Sequence, residues 1–277
     1  ICNNCQSIYV SPRPIKKTIN EFYKYIHKNK IFINSLPKKF NLKRVKHVMM
    51  PRWKLFMSEI KKIKKRRFDN YLEIGPGIGY FTKISIDKKI SKNYSVIEPD
   101  SFACDQLKKV SNKIKIFPST LEDFNLEKDK KKFDIVFINS VIEHPQNLNF
   151  FFKKLRNIIS KNSIVVLHDM HAGGLDVRLL KEETPNYNAY NILQVGSLKG
   201  IEILLKKYKF KLIKTLSTGE MDTDILYENL AEISKNKDNF ETRLMQILKN
   251  KNFREKLQNL LKKNFLTGYN TYFFKPL

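Results

Sequence analysis

Cysteine is scarce in this chain, and long apolar runs are missing from its sequence. The 277 residues include only three cysteines, Cys2, Cys5 and Cys104, which are too few for a disulfide framework. The longest apolar runs, at 135–138 and 164–167, have the length of a strand and fall far short of a membrane span. Because the first residues also do not read as a signal peptide, we expect a cytoplasmic location and no membrane span.

Acidic residues are also few: 27 Asp and Glu stand against 53 Lys and Arg, which gives a formal net charge of +26. A positive charge of this size favours nucleic acid as a partner. However, the basic residues comprise 44 lysines and 9 arginines, and the lysines are spread from Lys16 to Lys275. Phosphate recognition favours the planar arginine fork. We therefore do not expect nucleic acid to be the partner.

The remaining composition is that of a globular protein, with 42% hydrophobic residues and a mean hydropathy of −0.44. Short apolar segments with strand character alternate with helical stretches. Seven strands are predicted, at residues 70–74, 94–97, 114–117, 134–138, 163–168, 210–216 and 270–274. This alternation predicts an α/β fold with a Rossmann-like, doubly wound, mostly parallel seven-stranded sheet and helices on both faces.

The segments outside the sheet divide the chain further. Residues 1–35 are predicted to form a small amino-terminal module, with a helix over 15–25. Residues 36–67 form a helical lead-in that Pro51 divides into two helices. Residues 68–277 form the main domain, with a helical insertion at about 225–265. The apolar stripes of this insertion are expected to pack inward, and they consist of Leu244, Ile247, Leu248, Leu257, Leu260 and Leu261.

Glycine is scarce as well, yet three of the nine glycines in the chain fall within five residues. Gly75, Gly77 and Gly79 stand where the first predicted strand turns into a helix. Glycine lets the backbone turn sharply and approach a ligand, and the helix that follows offers free N–H groups. Glu98 closes the second strand 19 residues after Gly79, at the spacing where a carboxylate receives ribose hydroxyls. Together these features predict an adenosine-type ligand.

The spacing of this loop distinguishes it from a dinucleotide site. It reads Gly-x-Gly-x-Gly with Glu73 two residues before the first glycine, not the Gly-x-Gly-x-x-Gly of pyrophosphate binders. In these residues the sequence resembles the class I S-adenosylmethionine-dependent methyltransferases. Residues 133–136, followed by Val-Ile-Glu-His at 141–144, are similar to the family's fourth-strand motif. The resemblance covers roughly residues 70–210 and implies S-adenosylmethionine as the cofactor.

The resemblance also implies a role for individual residues. The donor-binding residues would be Glu73, Gly75, Gly77, Gly79, Glu98, Asn139 and Ser140. The glycines would contact the methionine part of the donor, Glu98 its ribose, and Glu73 the loop and the donor's amino group. Asn139 and Ser140 would lie near the sulfonium and the acceptor. The adenine would be bordered by residues among 119–123, without a choice between them.

Methyl transfer from a sulfonium is an in-line displacement that needs alignment and often a proton acceptor, and no metal is expected. The candidate bases, expected at the carboxyl ends of the fourth and fifth strands, are His144, His168, Asp169 and His171. His144 occupies the position of the family's motif. For His168 and His171, a role in anchoring a loop stays equally open. Glu143 is expected to orient a neighbouring residue.

The pair Cys2-x-x-Cys5, followed by Pro-Arg-Pro at 12–14, is similar to the end of a small zinc module that precedes some methyltransferases of sugar and natural-product pathways. A structural zinc site needs four ligands, and only one cysteine pair is present. Either another pair precedes Ile1 or no metal binds. We expect a remnant of the module without metal.

A fainter resemblance concerns the acceptor. Residues 218–224 are similar to a loop after the sixth strand in the same subset of the family. This resemblance implies a small-molecule acceptor, with a saccharide or nucleotide sugar as the candidate. Two alternatives stay open: an RNA methyltransferase, which only the charge favours, and a non-catalytic protein that retains the fold. The sequence carries no signal for an oligomeric state.

Overall fold

A computed structural model describes residues 1–15, 17–19, 21, 41–64, 67–124, 132–184, 192–233 and 240–277. The helix expected over 15–25 lies mostly outside these residues. The described part contains nine strands: β1 (Ile8–Tyr9), β2 (Phe68–Ile74), β3 (Ser91–Ile97), β4 (Ile114–Phe117), β5 (Phe133–Asn139), β6 (Ile159–Met170), β7 (Gln194–Val195), β8 (Phe210–Ser217) and β9 (Tyr269–Pro276).

Seven of these strands form one sheet in the order β4-β3-β2-β5-β6-β9-β8. The first five strands of this order are parallel, whereas β9 runs antiparallel between β6 and β8. The predicted mostly parallel, seven-stranded sheet is therefore confirmed. The chain order reverses between β2 and β5, and in open α/β sheets such a switch point opens a crevice at the carboxyl ends of the strands.

The described part also contains ten α-helices. They are α1 (Leu42–Arg44), α2 (Met50–Ile63), α3 (Tyr80–Asp87), α4 (Ser101–Val110), α5 (Leu148–Ile158), α6 (Leu175–Leu180), α7 (Leu198–Lys207), α8 (Asp222–Ile233), α9 (Phe240–Leu248) and α10 (Lys251–Lys263). A π-helical segment, Val45–Met49, joins α1 to α2 without a loop. Pro51 lies in the first turn of α2, directly after the π-helical segment. The proline thus marks the start of a helix and not a gap between two helices.

The helices cover both faces of the sheet, and β5 shows how. Ile135 and Phe137 belong to a buried cluster with α2 and α3, whereas Val136 and Ile138 belong to a cluster with α5 and α7 on the opposite face. Successive side chains of a strand point to opposite faces. A strand buried on both faces therefore reads as one unbroken apolar run, as this one does.

The helical insertion packs mainly through its leucines. Leu226 and Leu230 of α8 are buried with Leu248 of α9 in a separate small cluster. Ile247 and Leu260, however, have exposed fractions of 52% and 57%. The expectation that they pack inward is wrong, because they face away from the cluster that their neighbours form.

The amino-terminal residues are held against the main sheet by an added pair of short strands. β1 pairs antiparallel with β7, and the Ser197 amide donates to the Ser7 hydroxyl at 3.1 Å. Further along, the Gln146 side chain donates to the carbonyl oxygen of Pro14 at 2.9 Å. Two-residue strands carry no periodicity, so the sequence did not predict this pairing. Among the described helices, none has the length and apolarity that a membrane crossing needs.

Phe56 provides a test of how α2 is anchored to the sheet. Its side chain is fully buried, with its ring 5.6 Å from that of Phe81 and 6.1 Å from that of Phe273. We predict that Phe56→Ala lowers the free energy of unfolding by about 3–5 kcal/mol, as measured by urea denaturation. Leu55→Ala, at an exposed position of the same helix, is the control and should cost under about 1 kcal/mol. Equal losses in both variants would contradict this packing.

Candidate functional site

The loop between β2 and α3 has an unusual backbone. Gly75, Gly77 and Gly79 have φ angles of +66°, +55° and +84°, in the left-handed region that favours glycine. A Cβ atom at Gly75 would lie 2.5 Å from Val141, and one at Gly79 would lie 2.6 Å from Leu107. A Cβ atom at Gly77 would meet nothing within 4 Å. Two of the glycines thus allow close packing, and the third borders open space.

The open space at Gly77 is a cavity of about 550 Å³ at the carboxyl ends of the parallel strands. This volume lies in the usual range for small-molecule sites. Five of the residues singled out from the sequence line its wall: Gly75, Gly77, Glu98, Ser140 and His144. The switch point of the sheet therefore brings the glycine loop, the end of β3 and the end of β5 around one cavity.

Glu98 connects the end of β3 to the glycine loop. Its Oε2 accepts a hydrogen bond from the Gly77 amide at 2.9 Å, and its Oε1 accepts one from the Asp100 amide at 3.0 Å. Burial raises the pKa of this carboxyl to about 7, although both amide hydrogen bonds act in the opposite direction. The protonation of Glu98 therefore changes near neutral pH.

Glu143 and Asp169 form a buried, hydrogen-bonded carboxyl pair behind the cavity wall. Asp169 accepts hydrogen bonds from the amides of Val141 and Ile142 at 3.1 and 2.9 Å. Burial raises the pKa of both carboxyls, and the charge of Glu143 raises that of Asp169 further. The state in which both carboxyls are ionised is therefore disfavoured. His144 Nε2 lies 3.9 Å from Glu143 Oε1, so the imidazole on the wall lies beside this carboxyl pair.

Glu73 lies below the loop and not on the cavity wall. Its Oε2 accepts hydrogen bonds from the hydroxyls of Tyr71 at 2.7 Å and Thr82 at 2.5 Å, and its Oε1 accepts one from the Asn139 amide at 3.3 Å. Burial raises the pKa of Glu73. This carboxyl therefore ties β2 to α3 and β5, and Asn139 and Gly79 likewise lie off the wall.

The expected cluster of four bases does not form. The His168 side chain is fully buried, with Nδ1 2.9 Å from the Thr271 hydroxyl and its ring stacked on Tyr269 at 5.3 Å. The His171 Nδ1 bonds to a backbone carbonyl oxygen at 3.2 Å. Burial lowers the pKa of His168 well below its ordinary value and that of His171 to about 4. Both are neutral residues of the interior, and of the four candidates only His144 lines the cavity.

A family model described as a methyltransferase domain matches residues 42–215, which is more than half of the chain. The chain belongs to this methyltransferase family. The predicted methyltransferase fold and enzyme class are thereby confirmed, with S-adenosylmethionine as the cofactor. No curated protein sequence matches the chain.

Solved structures with a similar fold include three methyltransferases. Phosphoethanolamine N-methyltransferase 2 of Haemonchus contortus, in complex with S-adenosyl-L-methionine, is 16% identical with a TM-score of 0.58, and the match covers 94% of this chain and 60% of that one. The plantazolicin methyltransferase BpumL, in complex with a pentazolic desmethylPZN analog and SAH, is 15% identical with a TM-score of 0.57, covering 95% and 100%. An S-adenosylmethionine-dependent methyltransferase of Clostridium acetobutylicum is 13% identical with a TM-score of 0.52, covering 92% and 98%. At these identities the similarity concerns the fold.

Several residues of the methyltransferase site were missed in the sequence. Asp100 lines the cavity, and its side chain caps α4. In the sequence, a second acidic residue so soon after Glu98 was the signal that could have indicated it. Gln146 and Ile19 line it too, and no local pattern marked them. For the segment 119–123, where no choice was made, the structure places all five residues on the wall.

Gly77 borders the cavity, so a substitution at this position places a side chain in it. We expect Gly77→Val to weaken binding of S-adenosylhomocysteine in calorimetry by at least about tenfold, equivalent to ~1.4 kcal/mol. The control is Gly79→Ala, whose Cβ would meet Leu107 instead. Gly79→Ala should lower the melting temperature, and it should change the affinity for S-adenosylhomocysteine less than Gly77→Val does. Parental affinity in Gly77→Val would show that the ligand does not approach this part of the loop.

The pKa of Glu98, which burial raises to about 7 in the free protein, predicts that ligand binding depends on pH. Ribose hydroxyls donate to the ionised carboxylate more strongly, so the bound ligand lowers this pKa. Affinity then rises with pH, and the dissociation constant of S-adenosylhomocysteine should fall about tenfold between pH 6 and pH 8. Glu98→Gln cannot ionise and should remove this dependence. The same pH profile in both proteins would assign the dependence to another group.

Proposed function

We propose that the chain transfers a methyl group from S-adenosylmethionine to a small-molecule acceptor, with a saccharide or nucleotide sugar as the acceptor class. The observation that carries the proposal is the cavity of about 550 Å³ in which Gly77, Glu98, Ser140 and His144 meet. The cavity combines the open backbone at Gly77, the carboxyl group of Glu98 and the solvent-accessible imidazole of His144. These are the groups that bind a nucleoside and accept a proton.

The residues on the wall fit the donor. Gly75 and Gly77 would lie along its methionine part and Glu98 would accept hydrogen bonds from its ribose. Residues 119–123 would border the adenine, and Ser140 would lie near the sulfonium. When bound, S-adenosylmethionine supplies a methyl group that its positive sulfur makes electrophilic. Glu73 supports the loop from below through Thr82 and Tyr71.

His144 is proposed as the base that accepts the proton of the acceptor. Its side chain is 30% exposed, which leaves it in reach of an acceptor in the cavity. Glu143 acts as a positioning residue, because its carboxylate lies 3.9 Å from His144 Nε2 and stabilises the imidazolium as it forms.

The acceptor class rests on the resemblance of the sequence and on the size of the cavity. The solved neighbours include an enzyme named for phosphoethanolamine and one named for plantazolicin, so this fold serves small acceptors of different chemistry. The match covers 60% of the Haemonchus enzyme, so we do not propose the same acceptor for this chain. We propose the cytoplasm as the compartment, since the three cysteines are free thiols.

The proposed domain division keeps the module 1–35, the lead-in 36–67 and the main domain 68–277. Within the module, Cys2 and Cys5 lie on one loop, and hydrogen bonds from Cys5 and Asn4 lower the pKa of the Cys2 thiol. In the described residues, no group of three or more potential metal ligands occurs. A closed zinc site does not fit these two thiols, and we propose that the loop is a remnant of a zinc module.

The test is a screen of nucleotide sugars as methyl acceptors. The release of S-adenosylhomocysteine is the measured signal. With the acceptor so found, His144→Ala should lower kcat by roughly 10²–10⁴-fold, the usual effect of losing a general base, with little change in donor affinity. His47→Ala, at an exposed position of the π-helical segment, is the control and should keep full turnover.

Three outcomes contradict parts of this proposal. Full turnover in His144→Ala would remove this histidine as the base. Methylation of RNA and of no nucleotide sugar would support the RNA alternative. Donor binding without turnover on any acceptor would support a non-catalytic protein that retains the fold.

A further inference from the structure

The loop that carries His144, residues 140–145 after β5, has several of its backbone amides bonded inside the fold. The amides of Val141 and Ile142 donate to Asp169 Oδ2 at 3.1 and 2.9 Å. The His144 amide donates to the carbonyl oxygen of Val141 at 3.0 Å and closes a turn. The carbonyl oxygens of this loop need donors in their turn, because a buried backbone acceptor without one is costly. The source of these donors decides how firmly the imidazole is held.

Gln194 supplies two of these donors from a distant part of the chain. Its Nε2 donates to the carbonyl oxygen of Ile142 at 2.7 Å and to that of Pro145 at 2.9 Å. Because both partners are acceptors, the amide nitrogen of Gln194 and not its oxygen must face the loop. The two carbonyls lie on either side of Glu143 and His144 in the chain. One side chain therefore spans the segment that carries the proposed base.

Gln194 is itself held on a fixed support. Its side chain is buried, and it belongs to β7, which pairs with β1. The preceding Leu193 amide donates to the carbonyl oxygen of Glu143 at 2.8 Å, and the carbonyl oxygen of Gly196 accepts from the Ala172 amide at 3.0 Å. A residue that places a reacting side chain acts best when packing and hydrogen bonds lock its own conformation. Gln194 meets this condition.

Gln194 acts on the cavity only through the loop. His144 and Pro145 line the cavity wall, whereas Gln194 is not among the described residues that form it. A ligand in the cavity therefore contacts the loop and not Gln194. Without the two hydrogen bonds, the carbonyl oxygens of Ile142 and Pro145 lose their donors, and the segment between them is free to move together with the imidazole.

We propose that Gln194 is a positioning residue for His144, which it holds in place by bonding the backbone carbonyls on either side of the turn. Misplacement of a reacting group by about 1 Å can cost a factor of roughly 10² in rate, so a support of this kind matters for turnover. This inference rests on the proposed function and adds to it the residue that orients the base.

The test compares two buried glutamines. Gln194→Met keeps the length of the side chain and removes both N–H donors. Gln258→Met is the matched control, because Gln258 is also buried and its Nε2 donates to the carbonyl oxygen of Gly219 at 3.1 Å, away from the cavity. Both substitutions should lower the melting temperature, so the control separates a loss of stability from a loss of positioning.

The first measurement is the imidazole C–H resonance of His144 in the protein saturated with S-adenosylhomocysteine. The chain has five histidines, and the resonance that is absent from His144→Ala identifies this one. We expect the resonance to shift or to split in Gln194→Met and to keep its parental position in Gln258→Met. A change of stability alone does not move a resonance of the folded protein.

The second measurement is turnover with an acceptor found in the screen of nucleotide sugars. We expect Gln194→Met to lower kcat by roughly 10–100-fold, because the base is misplaced. The KM for S-adenosylmethionine and the affinity for S-adenosylhomocysteine should stay within about twofold, since Gln194 lies off the cavity wall. Gln258→Met should keep the parental kcat.

If Gln194→Met does not fold, the same comparison is made with Gln194→Asn. This variant keeps the amide but is one methylene shorter, so it cannot reach both carbonyls. We expect it to shift the His144 resonance and to lower kcat by less than about tenfold. Failure of both variants to fold would show that Gln194 has only a structural role.

Other results would also overturn the inference. A parental His144 resonance in a folded Gln194 variant would exclude a positioning role, and so would a parental kcat or an equal loss of kcat in Gln258→Met. A tenfold loss of S-adenosylhomocysteine affinity with unchanged kcat would assign Gln194 to the donor site. If His144→Ala keeps full turnover, the proposed base is wrong. The resonance of His144 still reports whether Gln194 holds the imidazole, so the two failures are distinguished.

Discussion

The left-handed backbone between β2 and α3 is the constraint on which the site depends. Only residues without a Cβ adopt φ angles of +66°, +55° and +84° readily, and two of the three also lie too close to Val141 and Leu107 for a side chain. The turn they allow aims the Gly77 amide at Glu98, which joins the loop to β3. The wall of the cavity at Gly77 and Glu98 therefore depends on this tight turn.

The charges of the site are balanced by local donors. Four carboxyls, those of Glu73, Glu98, Glu143 and Asp169, are buried in a chain with a net charge of +26. Backbone amides bond to Glu98 and Asp169, and a hydroxyl bonds to Glu73. Burial raises the pKa of all four carboxyls, so the site holds less negative charge than their number suggests.

Local patterns in the sequence were sufficient for the sheet and for the glycine loop. The apolar run 135–138 predicted β5 because burial on both faces removes alternation. The same reasoning could not recognise β1 and β7, which are two residues long, or the contact of Gln146 with Pro14 across 132 positions. It also could not separate His144 from His168, because a histidine at a strand end is equally polar whether it lines a cavity or stacks on Tyr269.

The place of β9 in the sheet has a consequence for how the chain acquires its shape during synthesis. β8 pairs with β9 and with no other described strand, and β9 separates it from β6. Until residues 269–276 leave the ribosome, β8 has no hydrogen-bonding neighbour and its edge stays open. Tyr269, whose ring stacks on His168 at 5.3 Å, arrives in the same step. In a nascent chain, the segments of the glycine loop and of β3 therefore emerge before β9, which completes the sheet between β6 and β8.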